Sequence, residues 1–251
     1  MLNINMRSVA AVYYPPDNQL EVFSVDKQGA LIVVWKEENG NWQGPISLTS
    51  LGFAPPNASI AAVYNPSSQQ LEVFVFDISG AVNLLWKVQN ESWNGPMPLT
   101  TQGFAPIGAG VAAAYYPPFD QMEVFTINTN GVLNVIWKEG NGNWNEPIGI
   151  TELNFAPPGA EVKAIYYLLQ EQLEVFFAGN YGALHCVRKH FNTAWEKPTD
   201  LTEAWLVAGG TPLSAVFYPP SISCLCSLWM LQVRCVAAGR NRILIGKVLL
   251  F

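Results

Sequence analysis

One segment recurs four times along the chain, and each copy begins 51 residues after the preceding one. The copies align without a gap and start at Val9, Ile60, Val111 and Val162. A fifth copy opens at Leu213 with LSAVFYPP and then loses the pattern. Internal repetition with a period of roughly 20 to 50 residues is typical of solenoids, propellers and other repeat arrays. The repeat therefore constrains the fold more than any other feature.

Each repeat contains four short runs that are typical of β-strands. In the first repeat these are an apolar run at Val9 to Tyr14, an alternating run at Leu20 to Phe23, a second apolar run at Leu31 to Trp35, and a fourth run at Pro45 to Thr49. The turn between the second and third runs ends in Gly29, where a three-residue hairpin loop needs left-handed backbone. Later repeats have Gly80, Gly131 and Gly182 at this position. No window shows helical periodicity.

Four strands in a repeat of about 50 residues match the size of a propeller blade. We therefore predict an all-β fold, a β-propeller of four-stranded blades with 51 residues per repeat. A β-sandwich or a solenoid of the same hairpins is the alternative architecture. We assign residues 1–251 to one array, with repeats at 9–59, 60–110, 111–161 and 162–212 and a degenerate fifth at 213–251. Such an array would leave the ring incomplete.

The chain changes character at Ser221, after which it is rich in Cys, Leu and Arg. When this tail is back-translated and read from the third base of the Ser221 codon, the allowed codons permit NQLxVFxVDxxGxVxxxWK, the motif of the second and third strands. We hypothesise that Ser221 to Phe251 is an out-of-frame or decayed fifth blade, which the nucleotide sequence of the gene would test. Because a propeller closes by pairing its first and last blades, such a chain would be truncated or would complete its ring as a homo-oligomer.

Composition limits the classes of partner and location. A hydrophobic content of 50% with 12% aromatic residues excludes a disordered chain. The net charge of -6, without a basic cluster, argues against nucleic acid and against anionic membranes. No apolar run is long enough for a membrane helix, and the N-terminal residues lead directly into the first strand, so we expect neither membrane insertion nor a secretory signal. The four cysteines form no disulfide framework, which makes a cytoplasmic, reducing location the default expectation.

The sequence contains no motif that would carry catalysis. A GxSxG elbow, a Gly-rich phosphate loop, an HExxH motif and an EF-hand loop are all absent. His185, Cys186 and His190 have a spacing that fits no metal motif, so we predict no metal and no cofactor. One glutamate recurs in each repeat: Glu21, Glu72, Glu123 and Glu174. Equivalent positions suit equivalent binding sites better than one catalytic pair of carboxylates, so we predict no enzyme.

Recurring tryptophans are the main functional signal. The first set ends the third strand: Trp35, Trp86 and Trp137, with Arg188 in the fourth repeat. The second set follows seven residues later: Trp42, Trp93, Trp144 and Trp195. Counting back from the turn at Gly29 places Glu21 opposite Trp35 on one face of the sheet, with Lys36 on the other face. The same count pairs Glu72 with Trp86 and Glu123 with Trp137.

An indole beside a carboxylate suits a sugar, because C–H groups stack on the ring and hydroxyl groups donate to the acid. We therefore predict that both tryptophan sets and the glutamates paired with the first set bind ligand. The alternative is that the tryptophans pack between neighbouring blades and that each glutamate is a buried, paired acid that fixes the spacing of the blades.

The repeat resembles the fungal fucose-specific lectin type of propeller and, more loosely, the tectonin-type repeat lectins. The likeness covers residues 9 to about 205 and rests on Val9 to Val12, Leu20 to Phe23, Asp26 to Leu31 and Trp42 to Pro45. It implies glycan sites between adjacent blades, multivalency and no catalysis. In that family an Arg in the second strand and a Glu in the third hold fucose, whereas here Glu21 and Val33 occupy these places. The closing tryptophans carry over, but the fucose-binding pair does not.

Three functions therefore stay open. The first is a carbohydrate-binding propeller, with glycans or glycoconjugates as partners, whose repeated weak sites gain affinity through avidity. The second is a scaffold for protein–protein interaction. The third is the binding module of a larger enzyme or toxin.

Overall fold

The computed structural model describes residues 9–56, 58–89, 91–191, 193–208, 211–216, 234–239 and 242–247. For Leu169, Val216 and residues 234–239 and 242–247 it describes the backbone alone. Four sheets of four antiparallel strands follow one another along the chain, and a fifth sheet has three described strands. Most of the tail that we hypothesised to be out of frame, from Ser221 onward, lies outside the described residues.

The strands of each sheet are consecutive in the sequence. Blade 1 consists of β1 (Val9–Tyr14), β2 (Gln19–Val25), β3 (Leu31–Glu37) and β4 (Gln43–Ser47). Blade 2 consists of β5 (Ile60–Asn65), β6 (Gln70–Phe76), β7 (Val82–Val88) and β8 (Asn94–Pro98). Blade 3 consists of β9 (Val111–Tyr116), β10 (Gln121–Ile127), β11 (Leu133–Glu139) and β12 (Ile148–Gly149). Blade 4 consists of β13 (Val162–Tyr167), β14 (Gln172–Ala178), β15 (Leu184–Lys189) and β16 (Thr199–Asp200). The fifth sheet consists of β17 (Leu213–Val216), β18 (Arg234–Gly239) and β19 (Arg242–Lys247).

The prediction of four-stranded blades is confirmed, with one difference in the outermost strand. In blade 1 this strand begins at Gln43 instead of Pro45, because Gln43 pairs with Trp35 across an irregularity in the register. In blades 3 and 4 the outermost strand has only two residues. The outermost strands of blades 3 and 4 are therefore shorter than those of blades 1 and 2, which have five residues each.

The turn between the second and third strands of blade 1 has the predicted geometry. The amide of Asp26 donates to the carbonyl of Ala30 at 2.9 Å. Gly29 has a φ of 82°, and a Cβ atom there would lie 2.7 Å from the carbonyl oxygen of Ala54. Glycine is therefore required both by the left-handed backbone and by the close approach of the linker that leads to blade 2.

The hydrophobic core lies between blades, because both faces of the inner strands are apolar. One cluster joins Phe23 of blade 1 to Val73 of blade 2, and another joins Phe125 of blade 3 to Val175 of blade 4. The blades thus stack face to face, as strands that are apolar on both faces require. Among the described residues, no helix has the length and apolar character needed to cross a membrane.

Candidate functional site

The sequence-predicted glutamates and tryptophans meet at the faces where consecutive blades stack. Glu21 pairs with Trp35 across β2 and β3, as the count from the turn predicted. The same register pairs Glu72 with Trp86 and Glu123 with Trp137. Each glutamate thus lies beside a tryptophan on the face that its blade turns toward the next blade.

Each of these glutamates forms an ion pair with a lysine of the following blade. Glu21 Oε1 lies 2.6 Å from Lys87 Nζ, and Glu72 Oε1 lies 2.8 Å from Lys138 Nζ. Glu123 Oε1 lies 2.7 Å from Lys189 Nζ. The lysine follows the tryptophan in the third strand of blades 2 and 3, and Arg188 in that of blade 4, and it therefore faces the preceding blade. A glutamate–lysine ion pair thus connects each two consecutive blades among blades 1 to 4.

The carboxylates are almost completely shielded from solvent. Glu21, Glu72 and Glu123 are 2%, 0% and 1% exposed. Burial raises the pKa of each of them above the ordinary value for glutamate, and the neighbouring lysine opposes that rise. This arrangement agrees with a buried, paired acid that connects the blades, the structural alternative to ligand contact.

The second tryptophan set packs against the preceding blade. The rings of Trp93, Trp144 and Trp195 are edge-on to Phe23, Phe74 and Phe125, with centroids 5.6, 5.7 and 5.5 Å apart. All three tryptophans are half-buried. At each interface, tryptophans of both sets contact the same apolar cluster. These indoles contribute to blade packing, and each keeps part of its ring accessible.

A cavity of about 220 Å³ lies between blades 3 and 4. Trp137 of blade 3 and Trp195 of blade 4 line it together with the ion pair of Glu123 and Lys189, and Val135 adds an apolar surface. Its remaining lining residues are Gln121, Ile148, Thr193 and Ala194. Three of the sequence-predicted site residues are therefore brought together in one cavity.

Polar atoms in this cavity are only partly satisfied. Lys189 Nζ donates to Glu123 Oε1 and to Gln121 Oε1, the latter at 3.2 Å. Lys189 also lies 5.6 Å from the centroid of the Trp195 ring. Glu123 Oε2 is buried and has no hydrogen-bond partner among the described residues. The wall of the cavity therefore includes a carboxylate oxygen that has no hydrogen-bond partner among the described residues and is shielded from solvent.

The polar groups next to the ion pair differ at the other two interfaces. Lys87 is paired with Asp17 at 3.2 Å in addition to Glu21, so a second acid is present between blades 1 and 2. Between blades 2 and 3, Asn65 donates to Glu72 Oε1 at 3.3 Å. All three interfaces contain a glutamate–lysine ion pair, but the other polar groups around it are different.

The pattern of a covered tryptophan and a glutamate–lysine pair is not followed at two positions, one in blade 1 and one in blade 4. Trp42 of blade 1 is 52% exposed, because no preceding blade covers it within the described part of the chain. In blade 4, Arg188 replaces the tryptophan, and its Nε atom donates to Glu174 Oε1 of the same blade at 2.8 Å. Glu174 is thus paired within its own sheet.

The histidines take part in local pairs. His185 Nδ1 lies 2.9 Å from Asp200 Oδ1, and His190 Nε2 lies 3.3 Å from Glu196 Oε1. Burial lowers the pKa of His185, and Asp200 opposes this. Within the described ranges, no group of three or more His, Cys, Asp and Glu side chains could hold a metal ion.

The sequence placed lysine and glutamate on opposite faces of one blade, but it did not predict the ion pair between the glutamate of one blade and the lysine of the next. The signal was present, because Lys36, Lys87, Lys138 and Lys189 recur at the repeat spacing of 51 residues. Gln121 and Thr193 were not proposed at all. Gln121 recurs at the repeat spacing as Gln19, Gln70 and Gln172, whereas nothing in the local sequence distinguishes Thr193.

A comparison with solved structures identifies the family. The BP39L lectin from Burkholderia pseudomallei matches with a TM-score of 0.88 and 32% sequence identity, over 97% of this chain and 67% of that chain. The chain belongs to the family of this lectin. It matches no protein-family model and no curated protein.

More distant lectins share the fold. The fungal lectin of Aleuria aurantia, described as a six-bladed β-propeller, has a TM-score of 0.60 and 13% identity over 97% of this chain and 78% of that chain. The SapL1 lectin, solved with α-methyl fucoside, has a TM-score of 0.63 and 14% identity over 97% of this chain and 80% of that chain. These likenesses establish a β-propeller fold, as the sequence predicted.

Proposed function

We propose that the protein is a non-catalytic, carbohydrate-binding lectin whose sugar sites lie between consecutive blades. The observation that carries this proposal is the cavity between blades 3 and 4, where Trp137 and Trp195 flank Glu123 and Lys189. Membership in a lectin family supports it. A cavity that combines apolar and aromatic walls with a few polar groups is typical of a small-molecule site.

The polar groups favour a neutral sugar. The Oε2 atom of Glu123 has no hydrogen-bond partner among the described residues and would accept a hydrogen bond from a sugar hydroxyl that reaches it. Two of the three donors of Lys189 are engaged by Glu123 and Gln121. An acidic sugar would bring a second negative charge next to a buried carboxylate, which is unfavourable. The solved SapL1 complex holds a fucoside, which is a neutral sugar.

Catalysis of glycoside hydrolysis needs two opposed carboxyl groups. The cavity between blades 3 and 4 is lined by one carboxylate, that of Glu123, and this group is tied to Lys189. Equivalent glutamates at the other two interfaces form equivalent ion pairs. We therefore assign these sites to binding alone, and their repetition in one array would raise the affinity for multivalent glycans.

A glycan array compares the purified wild-type chain with Trp137→Ala and Trp195→Ala. We expect the wild type to bind neutral glycans. We expect both variants to lose about tenfold in affinity at the site between blades 3 and 4, since an aromatic contact contributes about 1.4 kcal/mol, and to keep the affinity of the other interblade sites. Ile78→Ala is the control, because it removes an exposed apolar side chain outside the cavity between blades 3 and 4. Folding of every variant is checked by near-UV circular dichroism. A folded wild type that binds no glycan would contradict the proposal.

We also propose that another copy of the chain covers blade 1. Lys36 and Trp42 present half of an interblade site, and within the described part of the chain no glutamate or phenylalanine faces them. Light scattering after size-exclusion chromatography is expected to show a homo-oligomer, which Trp42→Ala would weaken. A monomeric wild type would contradict this second proposal without affecting the first.

A further inference from the structure

A second aromatic pair lies at the end of blade 4 that is remote from the interblade cavity. The cavity is built where second strands begin and third strands end, as Gln121 and Trp137 show. Tyr181 lies in the turn between β14 and β15, and Trp205 lies in the linker that follows β16. Because the strands of a blade run side by side, the turn and the cavity lie on opposite faces of the propeller.

The backbone of Trp205 is in the left-handed region, with a φ of 67°. The equivalent residues of the first three repeats are Gly52, Gly103 and Asn154, with φ values of 72°, 71° and 54°. Glycine and asparagine adopt this conformation readily, whereas a bulky side chain does so at a cost. Trp205 is 80% exposed, so burial does not offset that cost. A strained backbone at an exposed tryptophan is a reason to consider a functional role for Trp205.

The exposure of Trp205 is a property of its position and not an effect of the chain end. Gly52 and Gly103 are also exposed, although each is followed by a complete blade. The amide of Trp205 donates to the carbonyl of Tyr181 at 2.6 Å, which fixes the linker against the turn. The left-handed backbone thus holds the indole outward, into solvent.

Tyr181 provides the second ring of the pair and is 68% exposed. The two ring centroids are 5.9 Å apart, and the ring planes are inclined by 73°. The equivalent positions of the first three repeats hold Gln28, Ser79 and Asn130. Blade 4 therefore differs from blades 1 to 3 in carrying an aromatic pair with two perpendicular, accessible faces.

We propose that Trp205 and Tyr181 form a second carbohydrate-binding site, which stacks a neutral pyranose on the indole and is independent of the interblade sites. An indole face matches the apolar face of one sugar ring, and the tyrosine hydroxyl both donates and accepts hydrogen bonds. The exposed side chains of Asn180 and Glu203 stand next to the pair in the sequence and add polar groups.

Two other ligand classes fit the pair less well. A protein partner needs about 1,000 Å² of total buried surface, and two rings supply only a small part of it. An anionic lipid surface attracts clustered Lys and Arg, and the segments 179–183 and 203–208 contain neither. The exposed Glu203 would be repelled by such a surface.

The test uses the full chain labelled with 5-fluorotryptophan. Trp205→Gly identifies the Trp205 fluorine resonance by its loss, and this variant is expected to fold because glycine stands at the equivalent position of two other repeats. Methyl α-L-fucoside, methyl α-D-mannoside and methyl β-D-N-acetylglucosaminide are titrated separately. We expect at least one to shift the Trp205 resonance saturably, in the wild type and in Trp137→Ala alike. Tyr181→Ala is expected to weaken this binding about tenfold.

Two outcomes would overturn the second site. One is a folded protein in which no sugar shifts the Trp205 resonance at high millimolar concentration. The other is a shift caused by phosphatidylcholine vesicles and by none of the sugars, which would indicate a lipid surface instead. The resonances of Trp137 and Trp195 report on the interblade cavity separately, so failure of either site is recognised without reference to the other.

Discussion

The same two side chains, a lysine and a tryptophan, have different surroundings in blade 1 and in blade 3. In blade 3, Lys138 is paired with Glu72 of the preceding blade at 2.8 Å, and Trp144 is edge-on to a phenylalanine of that blade. In blade 1, Lys36 lies 5.5 Å from the centroid of the Trp42 ring, and Trp42 is 52% exposed. Each repeat supplies the residues of only one side of an interface. Whether its lysine is paired and its tryptophan packed therefore depends on the neighbouring blade.

In blade 4 the buried glutamate has a different partner. Glu174 occupies the position of Glu123 but is paired with Arg188 of its own sheet, where blade 3 has Trp137. A buried carboxylate is costly unless a cation neutralises it. The arginine meets this requirement, and it also removes the indole wall that a sugar site would need. If the proposed interblade sugar sites exist, ligand contact and blade stability compete for this position.

The largest expected effect is a difference in stability between two lysine substitutions. Lys138 is covered by the preceding blade, whereas no described blade covers Lys36. Lys138→Met leaves the carboxylate of Glu72 buried without its cation, so we expect the free energy of unfolding to fall by about 3 to 5 kcal/mol. Lys36→Met, the matched control, is expected to cost less than about 1 kcal/mol at protein concentrations low enough to dissociate the proposed oligomer. Urea unfolding of both variants measures the difference. Equal losses would show that the ion pair between blades is not what makes Lys138 important.

A smaller effect is expected for the tryptophans. Trp144→Ala removes an indole packed against Phe74, and because that indole is only half-buried we expect a loss of about 2 to 3 kcal/mol, below the full core value. Trp42→Ala is expected to cost less than about 1 kcal/mol. Thermal unfolding at low protein concentration compares the two variants. A loss for Trp42→Ala as large as that for Trp144→Ala would mean that another blade covers blade 1.

The smallest effect concerns pH. Burial raises the pKa of Glu72 above its ordinary value of 4.5, so the folded state retains a proton at pH values where the unfolded state has lost it. This contribution to stability is present below pH 4.5 and is lost as the pH rises through the folded-state pKa. We therefore expect Glu72→Gln to gain stability relative to the wild type as the pH rises through this window. Urea unfolding across the window tests the sign, and a relative loss would contradict it.

The sequence by itself determined the blade. Strand positions, the glycine turn and the pairing of Glu21 with Trp35 depend on residues close together in the chain, and alternation along a strand assigns each residue to a face. The repeat of 51 residues then extended one blade to four. The two tryptophan sets were identified because they recur, and the family resemblance placed ligand sites between blades.

Only the tertiary structure decided which residues meet. Glu123 and Lys189 lie 66 residues apart in the sequence, and local patterns do not specify which face of one blade stacks on which face of the next. The same stacking buried the glutamates, opened a cavity between blades 3 and 4 and left Trp42 uncovered. The aromatic pair of Tyr181 and Trp205 was likewise invisible in the sequence, because a hydrogen bond between a turn and a linker brings the two residues together. Pairing within a sheet follows from a local period, whereas contact between sheets depends on long-range packing.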